Sequence, residues 1–355
     1  MINDEIQVGI VTIVDNNNFG NRLQNYAVQE FMKKLGVQTY TLKNEPYSNT
    51  KEHFMLRQIK NITNNDTYSK CYERKKAFLD FNRNIQFSKW RITPYSKTNK
   101  YDYIVAGSDQ IWNPYINRLR DVDLLTFVEG EKRIALSASF GVENIPENIC
   151  KKVSKELKLF KAISVREDRA KQIISEIAER TDTEVLVDPT LLLSMEEWEK
   201  VETRPENFGD ERYVLLYFLG GISDARRDNI GKFARDNDCK IINMLDENDE
   251  MYKVGPGEFI YLINHAFFIC TDSFHASVFS VIYNRPFRVF EREGNAVKMN
   301  SRIETLIRIL NLKEHVYRGK LEKILSDYDY SSSYEVLKKE RKRTEAFLKQ
   351  ALELD

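Results

Sequence analysis

Short apolar runs recur down this chain, and most are followed by residues at helical spacing. Ile6–Val14, Gln38–Leu42, Tyr103–Ala106, Arg133–Ser137, Ala162–Val165 and Val185–Val187 read as strands. Tyr213–Leu219, Lys240–Leu245, Phe267–Cys270 and Phe287–Phe290 continue the series. Between the first two, Leu23, Ala27, Phe31 and Leu35 fall on one face of a helix over 21–35, closed by Gly36. A strand that is apolar throughout must be covered on both faces, so the pattern predicts βαβ units and parallel sheets. Helices are also expected over 225–236, 257–266, 275–283 and 302–312, with a charged helix over 334–354. The strand pattern restarts after the turn-rich TRPENFGDER (203–212), and 355 residues suffice for two domains. The expected division is 1–195, 196–330, and a terminal helix 331–355 packing back on the first domain. The fold class is α/β, two doubly wound domains facing a central cleft.

One segment breaks the alternation. Residues 51–91 hold ten Lys/Arg against four acids, with interspersed aromatics, and read as a basic helical insertion in the first domain. Its functional reading is contact with an anionic membrane surface; its plain reading is a solvated face. Over the whole chain 54 Lys+Arg balance 54 Asp+Glu, which argues against a binder of nucleic-acid backbones. Four scattered cysteines without a CxxC pair suit free thiols in a reducing cytosol, not a disulfide framework or zinc site. The acidic start MINDEIQVGIV is unlike a secretory signal, and no apolar stretch reaches membrane-spanning length. The expected location is cytoplasmic, with at most peripheral contact at the inner face of a membrane.

In open α/β sheets ligands sit beyond the carboxyl ends of strands, so polar residues there are the candidates. Cys270 leads into Thr271-Asp272-Ser273-Phe274-His275, where Asp272 or Ser273 can cap a helix whose N–H groups would face an anion. His275 would stand in its first turn, suited to proton transfer. Arg166 ends the strand 162–165 and suits bidentate binding of phosphate or carboxylate, or else a structural ion pair with Glu167 or Asp168. After 103–106 come Ser108, Asp109, Gln110 and Trp112, a plausible hydroxyl and sugar-ring set, or a cap with a core indole. Asn21, Gln24 and Asn25 follow Gly20 on neighbouring helix faces. Arg302 is a further candidate anion ligand. No GxGxxG or Walker A loop is present, and Asp188-Pro189-Thr190 reads as a turn.

Taken in order, FGNRLQNYAVQ (19–29), VAGSDQIWNP (105–114), SASFG (137–141), SVRED (164–168), VDPTLLL (187–193), TDSFHASVFS (271–280), RPF (285–287) and NSRIETL (300–306) resemble the polysaccharide pyruvyl transferase family. The resemblance implies two Rossmann-like domains arranged as in glycosyltransferases of the B type. It implies transfer of pyruvyl from phosphoenolpyruvate to a sugar as a ketal, with phosphate released and no metal or other cofactor. The family's anion-binding Arg and its His map onto Arg166 and His275, with Ser273 and Phe274 beside the His. On this reading Arg166, Ser273, Phe274 and His275 bind the donor, with Arg302 added from its position alone, in a pocket expected to hold few acids. Asn21, Gln24, Asn25, Ser108, Asp109, Gln110 and Trp112 face the acceptor, a polysaccharide sugar or its lipid-linked precursor. His275 is the expected general acid or phosphate ligand, Arg166 the carboxylate or phosphate clamp, and Asp109 or Asp272 the base. A nucleotide-sugar glycosyltransferase and a non-catalytic glycan-binding protein are the alternatives.

Overall fold

The computed structural model describes residues 6–44, 65–293, 300–321 and 330–355. Residues 51–64 of the basic segment, His53 among them, lie outside the described residues. The chain runs β1 (Gln7–Val11), α1 (Phe19–Lys34), β2 (Gln38–Lys43), α2 (Asn65–Phe81), β3 (Phe87–Arg91), β4 (Tyr103–Ala106) and β5 (Arg133–Ala138). Next come α3 (Glu147–Leu157), β6 (Ala162–Val165), α4 (Asp168–Ala178), β7 (Glu184–Val185) and α5 (Met195–Glu199). A second series follows: β8 (Tyr213–Tyr217), α6 (Asp224–Asp236), β9 (Lys240–Asn243), α7 (Pro256–Asn264), β10 (Phe268–Thr271), α8 (Phe274–Ile282) and β11 (Phe287–Val289). The chain closes with α9 (Asn300–Ile309) and α10 (Ser331–Leu352). No helix among the described residues is long and apolar enough to cross a membrane.

Seven strands form one sheet in the order β3-β2-β1-β4-β5-β6-β7, and four form another in the order β11-β10-β8-β9. Every pairing is parallel. Val8, Ile10 and Val11 are wholly buried, as the continuous apolar run requires. Strand order reverses between β1 and β4 in the first sheet and between β8 and β10 in the second. These are the places where an open α/β sheet leaves a crevice for ligand.

One apolar cluster spans both sheets, and each sheet has a further cluster of its own. Phe19 at the start of α1 stacks on Phe259 of α7 at 4.6 Å between ring centroids, and Trp198 of α5 meets Phe279 of α8 at 4.9 Å. Helix α10 touches both units. Arg341 donates to the carbonyls of Leu191 (2.8 Å) and Leu193 (2.7 Å), while Ser333 donates to that of Leu310 (2.8 Å).

The basic segment departs from the helical expectation. Among its described residues α2 is α-helical, but Phe87–Arg91 instead forms an edge strand beside β2, with Lys43 opposite Arg91. Helix α2 straps the units together with its cations. Buried Arg74 stacks over Phe19 at 4.6 Å and donates to Asn17 and to the Tyr252 carbonyl (2.7 Å each), and Lys70 pairs with Glu250 at 3.1 Å.

Candidate active site

The two strand-order reversals face each other, and the candidate residues gather where they meet. Each arrives by a local rule. Asn18 caps α1 by accepting from the Asn21 amide at 3.2 Å, which sets Gly20 and Asn21 in the first turn. Ser273 caps α8 by accepting from the Ala276 amide, placing Phe274 and His275 in that helix's first turn. Asp109 follows β4 with a φ of 49°, a left-handed conformation that turns its carboxylate back over the sheet. Arg166 follows β6 directly, and Asp188 caps the short turn after β7 by accepting from Thr190 N (2.9 Å) and Thr190 Oγ1 (2.6 Å).

Arg166 is the hub. Its guanidinium, 2% exposed, donates to Asp188 and, at 3.0 Å, to Asp109, and lies 4.6 Å from the centre of the Phe274 ring. Asn21 donates to the other Asp109 oxygen, and Arg302 stands 3.5 Å from Asp109. His275 Nε2 lies 3.7 Å from Asp188 Oδ2, beyond hydrogen-bond range, and the face of its ring rests against Gly20. Ser108 Oγ donates to the Ser137 carbonyl (2.7 Å), with Asp188 Oδ2 at 3.5 Å.

Charge and burial work against each other here. Burial alone would raise the carboxyls of Asp109 and Asp188, but the Arg166 charge and the neighbouring His275 more than offset it, and both are held below the usual range. The same pairing outweighs desolvation at Arg166 and raises its pKa. Arg302 is pushed down to about 10 by burial and then by repulsion from Arg166. Buried Glu167 goes the other way: desolvation raises it, although its Oε1 accepts from Ser139 Oγ, Phe140 N and Gly141 N.

The acceptor set divides. Asn21, Ser108 and Asp109 reach the hub, and Gln24 braces it by accepting from the Ser108 amide at 3.0 Å. Gln110 sits at the edge, accepting from Asn113 at 2.6 Å under Gly141. Two residues do not reach it. Trp112 is fully buried against Phe140 and Phe160 and donates to the Asp123 carbonyl at 3.1 Å, so the indole is core, because the loop folds its largest apolar group inward. Asn25 donates to Thr41 at 2.7 Å, since its position on α1 faces β2. Asp272 is also committed: its carboxylate accepts from Leu219 N (2.6 Å), Gly220 N (2.8 Å) and Arg292 (3.2 Å). That bonding makes it an anchor for the β8 loop.

In the sequence Asp188, Glu167 and Gly20 read only as a turn, an ion-pair partner and a backbone bend, without a role in the site. Asp188 carried a usable signal, since it follows a buried apolar run as Arg166 does. The pocket is also richer in acids than expected, with Asp109, Asp188 and Glu167 around two arginines. The cavity between Arg166, Asp188, Phe274, Arg302 and Thr305 has a volume of about 10 Å³, room for one water molecule. A larger depression of about 300 Å³ near Leu216, Ile222 and Ile241 lies away from this cluster. Its acids, Asp246 and Asp249, already accept from neighbouring amides. Among the described residues no group of three or more His, Cys, Asp or Glu is arranged to hold a metal ion.

Among curated proteins none is a match to the chain. Among solved structures, UDP-GlcNAc 2-epimerase from Methanocaldococcus jannaschii aligns at 13% identity and a TM-score of 0.49, over 94% of this chain and 92% of that one. The Neisseria meningitidis UDP-GlcNAc 2-epimerase bound to UDP-GlcNAc aligns at 12% and 0.47, over 98% and 94%. The glycosyltransferase SnogD from Streptomyces nogalater aligns at 10% and 0.42, over 98% and 100%. Likenesses this distant carry no argument about activity. The family model described as polysaccharide pyruvyl transferase matches residues 18–294, a span that holds every residue of the cluster except Arg302. The chain belongs to the polysaccharide pyruvyl transferase family.

Proposed function

We propose that the protein moves the pyruvyl group of phosphoenolpyruvate onto a sugar of a cell-surface polysaccharide, or its lipid-linked precursor, as a ketal. The observation that carries the reading is the convergence of Arg166, Arg302 and His275 from separate elements of a family member. Two guanidiniums suit the phosphate and carboxylate of the donor. The reaction would run in the cytoplasm on phosphoenolpyruvate as co-substrate, with no further cofactor.

In the proposed chemistry His275 delivers a proton to the methylene carbon of phosphoenolpyruvate while a sugar hydroxyl attacks the central carbon. Phosphate then leaves as a second hydroxyl closes the ring, and the two hydroxyl protons pass to the base and to phosphate. Asp188 faces the imidazole at 3.7 Å and would help to orient it. Asp109 is a poor base while Arg166 and Arg302 hold its pKa down. Donor oxyanions competing for those arginines would restore its basicity, so the base would become competent only once the donor is bound. The unit-to-unit contacts must loosen for this, because phosphoenolpyruvate is far larger than a cavity of about 10 Å³.

The experiment is direct. Purified protein, phosphoenolpyruvate and a panel of sugar acceptors should release phosphate and add the mass of a pyruvyl ketal. His275→Ala should lower that rate on the order of 10²- to 10⁴-fold; a full rate in this variant would sink the assignment. Calorimetry showing affinity for a nucleotide sugar and none for phosphoenolpyruvate would favour a glycosyltransferase instead.

A further inference from the structure

Acidic residues stop at Asp80 and resume at Asp102. The twenty-one residues between carry five cations: Arg83, Lys89, Arg91, Lys97 and Lys100. They form the end of α2, the edge strand β3 and the loop that crosses to β4. The same stretch holds the two most exposed large aromatic side chains among the described residues, Trp90 at 74% and Tyr95 at 93%.

Lysine and arginine on an edge strand are an ordinary guard against pairing with another sheet. That accounts for Lys89 and Arg91 but not for an indole left three-quarters in water. Trp and Tyr among cations, with no carboxylate between them, match the demands of a charged bilayer surface. The rings settle at headgroup depth while ammonium groups meet lipid phosphates. A neutral glycan would instead be met by carboxylates that accept from its hydroxyls, and this stretch has none. Two cations of α2 differ, because Lys70 and Arg74 are buried against the second unit. The parallel register of Arg91 with Lys43 puts Trp90 and Arg91 at the carboxyl end of the sheet, the end where Asp109, Arg166 and Asp188 gather.

We infer that the β3 edge and its loop to Lys100 seat this protein on an anionic bilayer, with Trp90 and Tyr95 as interfacial anchors. The inference stands apart from the transfer reaction and has its own readout. The chain has three tryptophans, and Trp112 and Trp198 are 0% exposed, so a change in indole emission on binding reports Trp90. The full chain should co-sediment at low salt with vesicles of equimolar phosphatidylcholine and phosphatidylglycerol, with a blue-shifted emission. It should ignore phosphatidylcholine alone and dissociate as salt is raised. Removing three cations in Lys89→Gln/Lys97→Gln/Lys100→Gln should weaken partitioning on the order of a hundredfold. Trp90→Ala/Tyr95→Ala should weaken it while keeping the salt dependence. Should a variant fail to fold, the salt titration and blue shift of the unaltered protein still decide. No co-sedimentation at low salt, or binding that the triple variant leaves intact, would overturn the inference. So would a blue shift produced by soluble polygalacturonate and not by vesicles, which would assign the edge to an acidic glycan.

Discussion

At Gly20 the helix α1 has no side chain, and a Cβ there would lie 2.0 Å from Nδ1 of His275. Alanine ordinarily stabilises a helix by about 1 kcal/mol over glycine. Here it must push the imidazole aside. Gly20→Ala should therefore lower pyruvyl transfer on the order of 10²-fold with an unchanged far-UV spectrum; an unaffected rate would detach Gly20 from the site. Arg166 poses the opposite problem. Truncating it leaves Asp109 and Asp188 buried without their main cation, so Arg166→Ala should cost roughly 3–5 kcal/mol in urea unfolding. Adding Asp188→Asn should recover part of that loss, because the second change removes one of the stranded charges. Strict additivity of the two would mean that Arg166 and Asp188 do not act as a pair. His275 and Arg166 were legible as strand-end residues of suitable chemistry. So was Asp109, but its pairing with Arg166 beside Asp188 was not, because the two acids come from loops about 80 residues apart in the chain.

At the scale of elements, most strand and helix positions follow the apolar pattern, and one break is instructive. Phe87–Arg91 was read as part of a basic helix, yet it pairs with β2 as an edge strand, and a five-residue segment has too little periodicity to separate the two. Behind α9, the turn holding His315 packs its ring on Phe287 of β11 at 4.3 Å. Burial, and then the nearby Arg288 charge, lower this imidazole from 6.5 to about 4. The folded pKa lies below the unfolded one, so the unfolded chain takes up the proton first as pH falls. The stability contributed by the neutral, buried ring is present above about pH 6.5 and is lost progressively toward pH 4, by about 3 kcal/mol in full. His315→Phe should flatten that part of the profile in urea titrations between pH 7 and pH 4.5. An equal slope in both proteins would show that other groups govern it.

For the whole molecule, two parallel sheets suggest independent domains, but Phe19, Tyr26, Trp198, Phe259 and Phe279 belong to one buried cluster that spans both. Calorimetry should accordingly show a single unfolding transition whose calorimetric and van't Hoff enthalpies agree. Two resolved peaks would mean that the shared core contributes less than the two separate ones. Exposed Arg308 also pairs with Asp168 at 2.8 Å across the units. A bridge so open to solvent adds little stability.

The amino-acid sequence by itself determined the alternation of strands and helices, the parallel sheets and the strand-end places of Arg166 and His275. Each of these depends on neighbours within a dozen or so residues, where apolar spacing and capping act. Only the tertiary structure decided that Trp112 is core, that Asp272 anchors a loop, and that Asp109 and Asp188 hold Arg166. Those outcomes depend on which loops meet when two sheets pack, and on whether burial or a neighbouring charge prevails at each carboxylate. Spacing along a chain carries neither.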